Sequence, residues 1–362
     1  MSRLFDPFRL GDIELPHRIV MAPLTRRRAL ENKVPGELAV THYVQRAEAA
    51  LIITESTEVD PLSAGVPPTR PGIFTDEQQA GWAKVVDAVH AAGGRIVMQL
   101  SHMGRTAHPN QRVDAALPVA PSAIRAEGTV YTPAGPLPYV EPIELDGAGV
   151  REAIRTYVEG AARAKAAGFD GVELHGANGY LIDQFLRDGS NRRTDRWGGS
   201  VDRRFRFLAE VIEGTLQHWS PGRIGVRLSP TNPFQDMRDS DPVRHFTRFA
   251  ELLNPYGLAY LHVVENPQQK EGRPEVARHL RATFEGAFIA AEGFTRSDAE
   301  QWLAEGRADL VAFGQYFIAN PDLVERFRRN APLNAVDKST YYTPGPRGYI
   351  DYPTLEQLQA AE

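Results

Sequence analysis

Short runs of apolar residues recur along the chain, and most of them precede a longer segment with helical periodicity. Each run is apolar at nearly every position instead of at every second one, which is typical of strands buried on both faces of a parallel sheet. The pattern therefore predicts eight buried strands. They lie within residues 19–24, 51–56, 95–101, 171–175, 224–229, 260–265, 287–292 and 310–314.

The segments between these runs have the periodicity of amphipathic helices. Thr295 is a typical N-cap ahead of an acidic first turn, and Gly168 follows the end of another helical pattern. Eight such β-α units favour a closed (β/α)8 barrel over an open sheet, whose edges would need shielding. The clearest helical segments are 149–167, 201–219, 242–253, 296–305 and 321–329.

Three segments depart from the β-α rhythm. Residues 102–146 are rich in proline and lack a helical period, so we expect an excursion after the third strand, either a lid over the site or a packed structural insertion. Residues 9–15 predict a hairpin that plugs the bottom of the barrel. The tyrosine-rich tail after Asn330 suits a segment that folds over a site. We expect a single domain spanning residues 1–362, with 102–146 as a capping insertion.

Composition removes several classes of function. The net charge of −5 is spread over interspersed positive and negative residues, so nothing favours a nucleic-acid partner. The absence of cysteine excludes disulfides, thiolate zinc sites, iron–sulfur clusters and a cysteine nucleophile. No signal peptide and no membrane-spanning run is apparent, which predicts a cytoplasmic protein without a membrane partner.

The usual nucleotide and hydrolase motifs are also missing. The sequence has no G-x-G-x-x-G, P-loop, H-E-x-x-H or G-x-S-x-G, and its ten histidines form no H-x-H pair. No metal site is therefore predicted.

The ends of the predicted strands carry polar residues, and strand ends face the active site in this fold. His175 and Asn178 follow the fourth strand, three residues apart, and could either grip one ligand oxygen or cap the next helix. Tyr180 could act as a general acid or be a packed aromatic residue. Arg227 ends the fifth strand and needs a partner, either an anionic ligand or Glu173.

Glycines follow the last two strands. Gly293 and Gly314 would let main-chain N–H groups approach a phosphate at the place where barrels commonly hold one, although turn formation alone could also explain them.

Taken together, these residues resemble the old yellow enzyme family of FMN-dependent ene-reductases, in particular the bacterial N-ethylmaleimide and pentaerythritol tetranitrate reductase branch. The resemblance covers almost the whole chain, and its most specific stretch is 171–185. It continues in residues 18–26, 191–200, 312–323 and 348–353.

The resemblance implies non-covalently bound FMN, with NADPH or NADH as hydride donor and an activated alkene as substrate. It implies that His175 and Asn178 bind the substrate oxygen and that Tyr180 supplies a proton, with Tyr342 as a further substrate contact. It also implies a set of cofactor contacts. These are Pro23, Leu24, Thr25, Ser56, Gln99, His175, Asn178, Arg227, Gly293, Gly314 and Gln315.

Two positions depart from the branch that the chain resembles. Gln315 stands where an arginine usually follows Phe-Gly, so FMN would bind less tightly unless Arg296 or another cation substitutes. Ser101 stands where a bulky tryptophan is frequent, which could enlarge the pocket.

Two other functions remain open at this point. One is a flavin carrier or sensor without turnover. The other is an isomerase or aldolase that acts on phosphorylated sugars with Glu173 and His175 as its acid–base pair. The lack of a strand-end lysine for a Schiff base counts against the aldolase form. The oligomeric state does not follow from the sequence.

Overall fold

Eight parallel strands close into a barrel in the computed structural model, which confirms the predicted (β/α)8 fold. The structure describes residues 3–61, 70–112, 114–265 and 275–360. The fourth strand pairs with the third and the eighth with the first, so the described sheet is a closed ring. The barrel strands in chain order are Ile19–Met21, Leu51–Ile53, Ile96–Ser101, Gly171–Gly176, Ile224–Leu228, Tyr260–Val264, Ala287–Ala291 and Leu310–Phe313.

Helices surround the barrel and bury their apolar faces against it. Thr295 forms the predicted cap, because its Oγ1 accepts a hydrogen bond from the Asp298 N–H while the Asp298 carboxylate accepts one from the Thr295 N–H. No helix in the described ranges is both long and apolar enough to cross a membrane. The helices are Glu37–Val44, Asp76–Ala91, Gly147–Ala166, Leu181–Leu186, Val201–Thr215, Pro242–Leu253, Val276–Thr283, Arg296–Ala304, Gln315–Ala319, Leu323–Arg329 and Leu355–Gln359.

A hairpin closes the amino-terminal end of the barrel, as predicted. Its strands, Phe8–Leu10 and Ile13–Leu15, pair antiparallel and bury their apolar side chains against the inner residues of the barrel. The Asp12 N–H donates to the Gly222 carbonyl at 2.9 Å, just before the fifth strand begins. With this end closed, the carboxyl-terminal end of the strands remains for chemistry.

The segment after the third strand contains little regular structure. Its described residues form the 3₁₀ turns Gly104–Thr106 and Pro109–Gln111 and a hairpin of Thr129–Thr132 and Gly135–Pro138. Two further short strands, Val119–Ala120 and Ile143–Glu144, pair in parallel.

The tyrosine-rich tail after Asn330 has two roles, and one of them differs from the prediction that this tail folds over a site. Tyr349 is fully buried and stacks on His42 with ring centroids 4.1 Å apart, so this tyrosine builds core instead of covering a site. Arg28 anchors the same tail by donating to several of its carbonyl oxygens. Tyr342, in contrast, is exposed and lies under the Arg27 guanidinium.

Candidate functional site

Polar side chains on neighbouring barrel strands share the same level. His175 is in register with Arg227, which is in register with His262 on the next strand. Gln99 is in register with Glu173. Residues in register on adjacent parallel strands point to the same side of the sheet. The structure therefore brings Gln99, His175 and Arg227 together as predicted.

The buried carboxylate of Glu173 is held by two side chains, and Arg227 is not one of them. Gln99 donates through Nε2 to Oε1 at 2.7 Å, and His262 donates through Nδ1 to Oε2 at 2.8 Å. Arg227 Nε is buried and has no hydrogen-bond partner. No salt bridge between Arg227 and Glu173 forms among the described residues, although the Glu173 charge raises the pKa of Arg227 against the effect of burial. Arg227 Nε is therefore left for a ligand.

His175 is a neutral imidazole. Burial lowers its pKa well below the ordinary value, and the nearby charges of Arg227 and Arg70 lower it further. Its Nδ1 is buried with no hydrogen-bond partner among the described residues, and its ring centroid lies 4.9 Å from that of Tyr180. Both Glu173 oxygens are engaged, by Gln99 and His262, which disfavours Glu173 as the base of the isomerase alternative.

Asn178 is positioned by the loop after the fifth strand. Its backbone has a φ of +57°, its N–H donates to Ser229 Oγ at 2.7 Å, and its Oδ1 accepts from Asn232 Nδ2 at 3.0 Å. The following helix has Tyr180 at its N-cap and no side-chain cap. The helix-capping alternative for His175 and Asn178 is therefore wrong, and the Asn178 amide N–H₂ remains a donor.

Tyr180 has a neighbour that the sequence did not indicate. Arg70 Nη2 donates to the Tyr180 hydroxyl at 2.8 Å, and the guanidinium carbon lies 5.2 Å from the ring centroid. Tyr180 is buried, so this contact is largely shielded from solvent. The tyrosine is therefore more than a packed aromatic residue, because its hydroxyl is hydrogen-bonded to a cation.

The ends of the first, second and eighth strands form the adjoining wall. Ser56 Oγ is buried and has no hydrogen-bond partner in the part of the chain that the structure describes. A Cβ placed on Gly314 would lie 3.2 Å from Leu24 Cδ2, which shows how closely the first and eighth strand ends approach. Glu55 accepts hydrogen bonds from the N–H groups of Arg26 and Arg27 and so fixes the loop that contains Pro23, Leu24 and Thr25.

The loop after the seventh strand has an unusual backbone. Glu292 and Gly293 are exposed, with φ values of +91° and +77°. Gln315 begins the short helix after Gly314. Arg296 donates to Glu300 at 2.9 Å and to Asn330 at 3.3 Å, so its guanidinium is already engaged.

Comparison with known proteins agrees with this geometry. The profile of the NADH:flavin oxidoreductase / NADH oxidase family matches residues 3–334. The chain is 41% identical to 12-oxophytodienoate reductase 1 of Oryza sativa subsp. japonica, over 98% of this chain and 94% of that protein. It is 40% identical to 12-oxophytodienoate reductase 2 of Arabidopsis thaliana, over 98% and 96% of the two chains.

Solved structures of related proteins also match the chain over almost its whole length. Morphinone reductase in complex with tetrahydroNAD is 44% identical and superposes with a TM-score of 0.92, covering 98% of each chain. The old yellow enzyme homologue from Zymomonas mobilis is 40% identical with a TM-score of 0.93, covering 97% of this chain and 99% of that one.

Proposed function

This chain belongs to the NADH:flavin oxidoreductase / NADH oxidase family, the old yellow enzymes, and from that premise we propose that it reduces activated C=C bonds with NAD(P)H. The family places FMN in the barrel, bound without a covalent bond. The observation that carries the proposal is the set of buried, unpartnered polar atoms at the strand ends, His175 Nδ1, Arg227 Nε and Ser56 Oγ.

These atoms fit a flavin. Its ring edge offers several carbonyl and ring-nitrogen acceptors, and a buried donor without an acceptor is costly unless a ligand supplies one. We assign Arg227, Gln99 and Thr25 to the polar edge of the ring. A fixed guanidinium also stabilises negative charge on that edge. The adjoining contacts are Pro23, Leu24, Ser56, His175, Asn178, Gly293, Gly314 and Gln315.

When bound, FMN would supply the hydride-transfer chemistry between NAD(P)H and the alkene. The chain's own residues prepare the alkene. Neutral His175 and the Asn178 amide both donate hydrogen bonds and hold the carbonyl or nitro oxygen, which withdraws electrons from the double bond. Tyr180 then donates a proton to the α-carbon. Tyr342, at the edge of the site, contacts the substrate.

The visible spectrum and a reoxidation experiment test this function. The purified protein should be yellow, or become yellow with added FMN. After anaerobic reduction by NADPH, 2-cyclohexenone or N-ethylmaleimide should restore the oxidised spectrum. A preparation that stays colourless, or one that NADPH reduces but neither alkene reoxidises, contradicts the proposal.

Three finer assignments belong to the same proposal. Substrates include maleimides, as in N-ethylmaleimide reductases, because the clamp needs only a conjugated oxygen. The segment 102–146 caps the site within a single domain, since Arg105 donates to the Asp236 carbonyl at 2.9 Å and so ties it to the loop after the fifth strand. We assign the enzyme to the cytoplasm, where its NAD(P)H hydride donor is available.

A further inference from the structure

Two arginines lie beside the proposed proton donor. Arg70 Nη2 donates to the Tyr180 hydroxyl at 2.8 Å. The Arg27 guanidinium carbon lies 5.3 Å from the ring centroid of Tyr342. Burial lowers the pKa of Arg27, and the like charge of Arg70 lowers it further.

Arg70 has donor capacity that no described acceptor fills. Its Nη1 is buried without a hydrogen-bond partner, and its Nη2 is bonded only to the neutral oxygen of Tyr180. Burial opposes its charge, but Tyr180, Glu58 and Glu55 outweigh burial and raise the pKa of Arg70 above its ordinary value. The group is therefore a fully charged cation beside the site.

The two carboxylates in the neighbourhood already have other partners. Glu58 forms an ion pair with Lys33 at 2.9 Å. Glu55 Oε2 accepts from the backbone N–H groups of Arg26 and Arg27 at 2.9 and 3.2 Å. Both carboxylates are thus engaged by other groups, and Arg70 Nη1 has no acceptor among the described residues; a buried donor without an acceptor is costly unless a ligand supplies one.

We propose that Arg70 and Arg27 form an anion-binding subsite next to Tyr180, and that the alkene this enzyme takes carries a carboxylate. The inference rests on the proposed function, because it places the carboxylate on the substrate whose oxygen His175 and Asn178 hold. A carboxylate matches the planar fork of a guanidinium, which binds it with paired hydrogen bonds. Neutral alkenes leave Arg70 Nη1 unpaired.

Three maleimides with the same alkene test the subsite. The probes are 3-maleimidopropionate, its methyl ester and N-(2-aminoethyl)maleimide, in which methylene groups insulate the charge from the double bond. The chain has no cysteine, so these reagents find no thiol to modify. We expect kcat/KM for the carboxylate to exceed that for the ester by about tenfold or more, with the ammonium probe poorest.

Variants test whether Arg27 and Arg70 cause the preference for the carboxylate probe. Arg27→Met and Arg70→Met should each reduce the carboxylate-to-ester ratio toward one, and Arg70→Lys should retain part of it. The ratio is taken within each variant, so a general loss of turnover does not affect it. Arg206→Met, on an exposed position of the helix Val201–Thr215, is the matched control and should keep the wild-type ratio.

A binding measurement separates this inference from the proposed function. Calorimetric titration with 3-succinimidopropionate and its methyl ester, which cannot be reduced, should show tighter binding of the carboxylate in the wild type and not in Arg27→Met. The subsite is overturned if kcat/KM is the same for the carboxylate and the ester and if both succinimides bind the wild type equally tightly. In that case the proposed function still stands, because the ester is reduced. If the ester is not reduced at all, the proposed function fails, and the titration alone decides on the subsite.

Discussion

Asn232 orients Asn178: its Nδ2 donates to Asn178 Oδ1 at 3.0 Å, which leaves the Asn178 N–H₂ group as a donor. Asn232→Asp replaces that donor by an acceptor, so the Asn178 amide should turn and present oxygen to the substrate. We expect kcat/KM for 2-cyclohexenone to fall about a hundredfold, the size of effect seen when one oxyanion donor is lost.

Asn232→Ala is the matched control for this change. It removes the orienting contact without imposing the wrong orientation, so its loss should be smaller than that of Asn232→Asp. Equal activity in both variants and the wild type would show that Asn232 does not orient Asn178.

Tyr180→Phe tests the proton donor. Removing the hydroxyl should leave anaerobic reduction of the flavin by NADPH unchanged, because that step needs no proton from this residue. Reoxidation by an enone should slow about a hundredfold or more, within the range for a positioned general acid. Stopped-flow absorbance measures both half-reactions separately, and unchanged reoxidation would remove Tyr180 from the mechanism.

Glu292→Gly should improve both stability and FMN retention. Glu292 has a φ of +91°, a conformation that glycine adopts without strain, and relieving it should raise the free energy of unfolding by about 1 kcal/mol. Loss of a carboxylate near the proposed phosphate loop should also tighten FMN. Glu292→Ala removes the charge but keeps a Cβ, so it should improve FMN binding without the gain in stability.

Gln315→Arg tests whether the glutamine at the position of the usual arginine weakens FMN binding. If Gln315 neighbours the FMN phosphate, an arginine there should add a charge-assisted contact and lower the dissociation constant of FMN about tenfold. Riboflavin, which lacks the phosphate, is the control ligand, and its affinity should not change. Fluorescence titration of the apoprotein with each flavin gives the comparison.

Buried histidines should make folding sensitive to acid. Burial lowers the pKa of His102 to about 4, although Asp60 opposes the shift. Below the ordinary value near 6.5 the unfolded chain binds a proton that folded His102 does not, so the free energy of unfolding falls as the pH drops from 6.5 toward 4. The slope from this residue approaches about 1.4 kcal/mol per pH unit.

Chemical denaturation at several pH values checks this. His102→Gln should flatten the dependence between pH 6.5 and 4, a window set by the ordinary and folded pKa values of that residue. His279→Gln, at an exposed position, should leave it as in the wild type. Identical slopes in all three proteins would contradict the assignment.

The barrel was predictable because its strands are apolar on both faces, and that composition is visible without any partner. Strand ends were less predictable. The apolar run 51–56 continues past the strand Leu51–Ile53, because Thr54 and Glu55 are buried as tightly as a strand. Thr54 Oγ1 accepts from the Gln99 N–H of the third strand, and Glu55 accepts from the Arg26 N–H in the loop after the first. Burial alone therefore does not distinguish a strand from a buried segment that follows it.

The proposed site residues at strand ends were also accessible from sequence, whereas their partners were not. The pairing of Glu173 with His262 depends on register across two strands, which no local pattern contains. Arg70 lies in a loop far from Tyr180 along the chain. A buried glutamate within a strand was a signal that a partner existed, but it did not identify which residue.

The hairpin under the barrel has a kinetic consequence. Phe8–Leu10 and Ile13–Leu15 cover the amino-terminal end of a barrel whose interior is filled by side chains, so nicotinamide and alkene both have to use the carboxyl-terminal end. The nicotinamide and the alkene should therefore bind alternately, in ping-pong kinetics with parallel lines in double-reciprocal plots. An excess of either reactant should inhibit binding of the other.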